Sequence, residues 1–221
     1  MAYTAAQVIT QAQRFLIDID DAAYSDDMLT YLNEGCRRFA SETHCCQSYV
    51  LISNITDSSI PYLVIRNAID TIITPGSTEG ILFVSKVLPM LGDNWTPLPK
   101  APMSEMKAFL ATDVTIPTRY FLYAEAIHFD VEEGVSMNSG AGISFRLWCS
   151  YIPADLTATS DLLIIPDEWV HAIVKYMVFC CHIADRSAAL ANGAYAEFEA
   201  IKQAAANVYI SQIERIPGAV Q

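Results

Sequence analysis

Apolar residues recur at helical spacing at both ends of this chain, while over residues 47–159 the texture changes to short β-branched and aromatic runs broken by Pro, Gly, Asn and Asp. This bracketing narrows the fold more than any other feature. An amphipathic helix has to bury its apolar stripe against another element, and the first pair of helices finds its natural partner in the pair at the far end of the chain. The expected class is therefore α+β. A four-helix bundle forms from N- and C-terminal helix pairs, residues 1–46 and 160–215, with an inserted antiparallel β-rich domain, residues 47–159, and a tail, residues 216–221.

Thr4 is placed to cap a first helix whose stripe is Val8, Ile9, Ala12, Phe15, Leu16 and Ile19. The acidic segment from Asp18 to Asp27 follows. Met28, Leu29, Leu32, Cys36 and Phe39 then resume the helical period, with Ser25 as N-cap and Asp26 and Asp27 in a first turn that favours negative charge. Expected strands are 48–52, 69–73, 81–88, 119–124, 126–131 and 144–151, with a short helix at 104–111 and a glycine turn at 139–142. Pro166 suits the first position of a third helix along Trp169, Val170, Ile173, Val174, Met177, Cys180, Cys181 and Ala184. A fourth helix starts after Gly193, follows Phe198, Ile201, Ala205, Val208, Tyr209 and Ile213, and stops at Pro217-Gly218.

Charge excludes some functions. With 13 Lys and Arg against 25 Asp and Glu the net charge is −12, and no basic stripe is present to grip phosphates. At 52% hydrophobic and 17% charged residues the chain is not disordered, and so few charges imply surface hidden against other subunits. The N-terminus lacks the pattern of a secretory signal, and the apolar run from Trp169 to Ala184, interrupted by His171, Lys175 and His182, reads as a buried helix and not a membrane span. The six cysteines are expected to be reduced core thiols.

The ligand-type residues do not form a known site. His44-Cys45-Cys46 and Cys180-Cys181-His182 carry zinc-type groups, but adjacent residues on a helix point about 100° apart, and neither CxxC nor HxxxH occurs. Ala22, Ala23 and Leu29 break the calcium-loop pattern counted from Asp18. No GxSxG, HExxH, Walker loop or dinucleotide fingerprint is present. No enzyme activity, catalytic residue, cofactor or metal is expected, and a zinc-binding enzyme is the lesser alternative.

In order, the segments resemble the head-to-tail connector, or adaptor, proteins of tailed bacteriophages over nearly the whole chain. The likeness rests on Tyr24-Ser-Asp-Asp-Met-Leu-Thr-Tyr-Leu-Asn-Glu-Gly-Cys-Arg-Arg-Phe39, Ile81-Leu-Phe-Val-Ser-Lys-Val87, Trp95-Thr-Pro-Leu98, Met103-Ser-Glu-Met106 and Ile116-Pro-Thr-Arg-Tyr-Phe121. It continues through Phe145-Arg-Leu-Trp-Cys-Ser-Tyr-Ile-Pro-Ala-Asp-Leu-Thr157 and Leu162-Leu-Ile-Ile-Pro-Asp-Glu-Trp169. The resemblance implies a structural virion protein in the neck, assembled in the host cytoplasm as a dodecameric homo-oligomeric ring beneath the portal protein. Such a ring joins the capsid to a tail or nozzle protein and lines a channel that DNA traverses without specific binding; no membrane is involved. It also implies that the tail Ile216, Pro217, Gly218, Ala219, Val220 and Gln221 docks on the portal. The acidic residues Asp18, Asp20, Asp21, Asp26 and Asp27 are expected to face the channel or the tail. Another neck or tail ring component, a head-completion or tail terminator protein, is the alternative within the virion.

Overall fold

The computed structural model describes residues 2–16, 27–55, 62–64, 81–91, 93–105, 116–123, 126–131 and 143–214. The chain divides into two compact units: one of Met1–Cys46 with Tyr151–Ile213, the other built on Gln47–Ser150. The architecture is α+β with antiparallel strand pairs.

In the first unit, helix α1 (Ala5–Gln13) opens with a full capping box. The Thr4 hydroxyl accepts from the Gln7 N–H at 3.3 Å, and the Thr4 N–H donates to Gln7 Oε1 at 2.9 Å. Two more first-turn donors, the N–H groups of Ala5 and Ala6, reach the carbonyls of Asp161 and Thr159. The helix thus satisfies its orphan amides with a loop from the far end of the chain. It stops earlier than its apolar pattern, because the N–H groups of Phe15 and Leu16 bond three residues back and tighten the turn. Leu16 is buried and Phe15 half exposed; Ile19 and Ser25 lie outside the described residues.

Helix α2 (Met28–Thr43) buries Met28, Leu32, Gly35, Cys36, Phe39, Ala40 and Thr43. Asp27 holds the N-cap position instead of the first turn, and its side chain makes no capping bond. Helix α3 (Val170–Ala184) follows a 3-10 turn at Asp167–Trp169, so Pro166 precedes the turn and does not start the α-helix. Val170, Ala172, Ile173, Val174, Lys175, Tyr176, Met177, Val178, Cys181 and His182 are all buried: α3 is enclosed almost all round. Helix α4 spans Ala188–Glu214 and begins before Gly193. A Cβ at Gly193 would meet nothing within 4 Å, so this glycine costs the helix only its propensity, roughly 1 kcal/mol, which a long helix absorbs. The buried stripe of α4 is Ala191, Ala194, Phe198, Lys202, Ala205 and Ala206, and Val208 is exposed.

Side chains of α3 pack directly on the α2 backbone at Gly35. A Cβ on Gly35 would stand 3.0 Å from Tyr176 Cδ1 and 3.3 Å from Ile173 Cγ2. Tyr176 cannot retreat, because its hydroxyl donates to Glu34 Oε1 at 2.7 Å and its ring packs on Phe198 and Phe179. Residues 151–165 run beside these helices. Asn33 clamps them by giving its Nδ2 to the Leu156 carbonyl (3.0 Å) and accepting the Leu156 N–H (2.9 Å).

The second unit holds strands β1 (Gln47–Ile55), β2 (Tyr62–Val64), β3 (Ile81–Leu91), β4 (Asn94–Trp95), β5 (Tyr120–Tyr123), β6 (Ala126–Phe129) and β7 (Ile143–Tyr151). They form a four-stranded sheet, β1-β7-β3-β4, and a three-stranded sheet, β2-β6-β5. β1 and β7 pair antiparallel from Gln47↔Ser150 to Ile55↔Ile143, with a register shift between Ile52 and Ile55. Along β7 the side chains alternate: Ile143, Phe145, Leu147 and Cys149 enter the core with Val84, Val87, Tyr120, Ile127, Phe129 and Val131, where Phe129 stacks on Phe145 at 4.6 Å. The segment ahead of β5 hangs on Asp130, a 2% exposed carboxylate. It accepts the N–H groups of Thr118 (2.8 Å) and Arg119 (3.1 Å) and the Thr118 hydroxyl, with Arg119 Nε 3.4 Å away. Of the expected short helix at 104–111, Ser104 and Glu105 lie in a 3-10 turn, Met103–Glu105, and 106–111 fall outside the described residues, as do the strand expected at 69–73 and the turn at 139–142.

Two stability changes follow. Gly35→Val is expected to lower the unfolding free energy of the helical unit by about 1–3 kcal/mol through overpacking against Tyr176, seen as an earlier urea transition. Asp130→Ala strands the N–H groups of Thr118 and Arg119 in a buried place, and is expected to cost the β-rich unit ~3 kcal/mol, read by the same titration with tryptophan fluorescence.

Candidate docking surfaces

Arg38, Lys175 and Lys202 tie α4 to the rest of the helical unit. Arg38 on α2 donates to the Tyr195 hydroxyl at 2.6 Å and pairs with Glu42 at 3.2 Å, its guanidinium lying 5.3 Å from the Tyr195 ring centre. Lys202, only 8% exposed, pairs with both Glu42 and Glu199. Lys175, equally buried, pairs with Glu197 at 2.7 Å and sits 4.2 Å over the Phe15 ring. Around these charges Phe39, Tyr176, Phe179 and Tyr195 pack on Phe198 and each other. Burial weakens the charge on Lys202, yet its hydrogen bonds to Glu199 and Glu42 prevail and hold its pKa above the ordinary value. For Glu199 burial acts upward, but the bonds from Lys202 and Tyr195 win and hold the carboxyl below its ordinary value.

The thiols behave as core groups. Burial pushes Cys36 up to about 12, Cys180 up to about 12 and Cys149 up to about 11. Cys45 and Cys46 lie with their sulfurs 3.9 Å apart, and their mutual hydrogen bond lowers the first and raises the second. Burial lowers His44, whose backbone is left-handed at φ 58° where it ends α2. Among the described residues no group of three His, Cys, Asp or Glu side chains could hold a metal ion, and no helix is long and apolar enough to cross a membrane.

Of the residues expected to meet partners, Asp27 is exposed, and its carbonyl accepts the Tyr31 N–H. Asp18, Asp20, Asp21, Asp26 and the tail Ile216, Pro217, Gly218, Ala219, Val220 and Gln221 lie outside the described residues. The structure adds a surface that pattern reading missed. On the face of the four-stranded sheet opposite its core, Tyr49 and Trp148 pair across β1 and β7 with ring centres 5.8 Å apart. Arg146 lies on the same face, its guanidinium 4.2 Å from the Trp95 ring centre and 5.4 Å from that of Tyr49. Tyr49 is 53% and Trp148 43% exposed.

The family model for SU10 adaptor protein matches residues 3–217, across both units. The chain belongs to the SU10 adaptor protein family. That agrees with the resemblance to phage head-to-tail adaptors carried by the segments above, and makes the protein a phage structural adaptor. No curated protein matches it. In this SU10 adaptor Gly35 is a close-packing point of α2, and Asp130 binds the Thr118-Arg119 pair.

The Glu199 and Lys202 directions set a pH dependence. Glu199 contributes stability above its ordinary value of 4.5 and loses it as pH falls through the lower folded value. Lys202 contributes below 10.5 and loses it as pH rises through its higher folded value. The thermal midpoint of the helical unit is expected to plateau between these limits and fall on both sides. Glu199→Gln should lower the plateau and flatten the acid limb, as measured by far-ultraviolet circular dichroism.

Proposed function

We propose that this protein forms a dodecameric ring beneath the portal of a tailed-phage head, joins the capsid to a tail or nozzle protein, and lines the DNA channel in the virion neck. The observation that carries the reading is the adaptor-family match over nearly the whole chain. The helical unit, in this reading, is a four-helix bundle of N- and C-terminal pairs, assembled with the β-rich insertion in the host cytoplasm. A net charge of −12 suits a channel through which DNA slides without sticking.

The tail from Ile216 to Gln221 docks on the portal in this proposal. Its apolar residues follow Arg215, and Pro217 prevents them from continuing α4. Asp18, Asp20, Asp21, Asp26 and Asp27 face the channel or the tail, where their charge repels phosphate or meets a partner.

Electron microscopy of the purified protein with portal rings tests the reading. A symmetric collar on the portal is expected, and a bare portal beside a stable monomer overturns it. Removing residues 216–221 is expected to abolish the collar while leaving the circular dichroism spectrum unchanged.

A further inference from the structure

Two pairs of neighbouring cysteines occur in the chain, and the structure sets them apart. Cys180 and Cys181 lie within α3, where consecutive side chains point about 100° apart. Cys45 and Cys46 lie just past α2, where His44 takes a left-handed backbone and the helical period stops. Freed of the helix, these two side chains meet, with their sulfurs 3.9 Å apart. The backbone holds them there. The His44 N–H donates to the Ala40 carbonyl at 2.9 Å, the Cys45 N–H to the Thr43 hydroxyl at 3.3 Å, and the Cys46 carbonyl accepts the Tyr151 N–H at 3.0 Å.

The contact also makes the two thiols unequal. A hydrogen bond with Cys46 holds Cys45 below the ordinary thiol value in spite of its burial, and the same bond raises Cys46. Burial raises Cys36, Cys149 and Cys180. Of these five, Cys45 is therefore the nucleophile, and Cys46 is the sulfur placed to capture what forms on it. Buried thiols are ordinarily inert, but this pair is bounded by half-buried His44 and exposed Gln47 at a helix end, where local opening costs least. A small oxidant needs no more than that opening.

We propose that Cys45 and Cys46 form an oxidation site for hydroperoxides, closing to a disulfide between neighbouring residues where α2 gives way to β1. Cys45 loses its proton and its thiolate attacks one oxygen of hydrogen peroxide; an S–O bond forms, the O–O bond breaks, and the hydroxide released takes up that proton as water. The Cys46 sulfur then attacks the Cys45 sulfenic acid. The S–S bond forms, the S–O bond breaks, and hydroxide leaves with the Cys46 proton as a second water. Two thiols and one peroxide thus give one disulfide and two waters, with two electrons passing from sulfur to oxygen. The sulfurs have to close from 3.9 Å to about 2.05 Å. This chemistry belongs to the folded chain and does not depend on a ring.

The test treats the folded full chain with hydrogen peroxide, labels the remaining thiols with iodoacetamide in denaturant, and follows tryptic peptides by mass spectrometry. The positions of Lys and Arg make this selective: peptide 39–66 carries Cys45 and Cys46 and no other cysteine, and peptide 176–186 carries Cys180 and Cys181 alone. Peptide 39–66 is expected to lose about 2 Da and both labels, recovered by dithiothreitol, while 176–186 keeps both labels. Wild type alone decides the matter. Retention of both labels in 39–66, gain of oxygen in place of loss of hydrogen, or closure only in urea overturns the proposal. Equal closure in 176–186 overturns it as well, because adjacency in sequence and not the geometry past α2 would then decide. Cys46→Ser, checked for folding by circular dichroism, is expected to leave a sulfenic acid on Cys45 that dimedone captures, with at least about tenfold less adduct on Cys46 in Cys45→Ser. Adduct on Cys46 in preference to Cys45 overturns the assigned roles.

Discussion

The helical unit depends on how closely α2 and α3 approach at Gly35. Only a residue without a side chain lets the Tyr176 ring lie against the α2 backbone, and Tyr176 then becomes a wedge held at both ends, by Glu34 at its hydroxyl and by Phe198 and Phe179 at its ring. Phe198 brings α4 with it. Arg38, Glu42, Glu199 and Lys202 close the same seam in charge, so that aromatic packing and ion pairs share one set of positions. The two buried lysines are tolerable there because each has its carboxylate, and a lone ammonium in that place would not be.

Local features were legible in the sequence where local chemistry decides them. Thr4 and Gln7 lie within one turn, so the capping box needs no knowledge of the rest of the fold, and the alternation of β7 follows from its own residues. Errors arose where distant packing decides. The start of α4 was placed after Gly193 on propensity, but the helix begins five residues earlier in the chain because nothing at Gly193 requires a break. β2 and β4 are too short to carry a period and exist through their partners β6 and β3. Lys175 and Lys202 are buried beside carboxylates that come from another helix or another turn, which no local pattern shows. The aromatic face had one available signal: Trp148 stands at an outward position of an alternating strand, where a polar residue would satisfy the pattern.

The two units use charge in opposite ways. In the helical unit Arg37, Arg38, Lys175 and Lys202 are each spent on an internal carboxylate. In the β-rich unit Arg119 is likewise tied to Asp130 and Glu105, while Arg146 is set in rings and left with donors to offer.

The insertion of Gln47–Ser150 between the two helix pairs also governs how the protein can be made. α1 and α2 leave the ribosome first, yet the residues that cover Phe39 and the α2 face at Gly35 lie on α3 and α4, more than a hundred positions later in the chain. The β-rich unit, whose first and last strands pair with each other, can close as soon as β7 emerges. The helical unit therefore waits with an apolar stripe uncovered until the final helix is synthesised. Its folding is bound to the end of translation, and the early half of the chain is the part that a chaperone would meet.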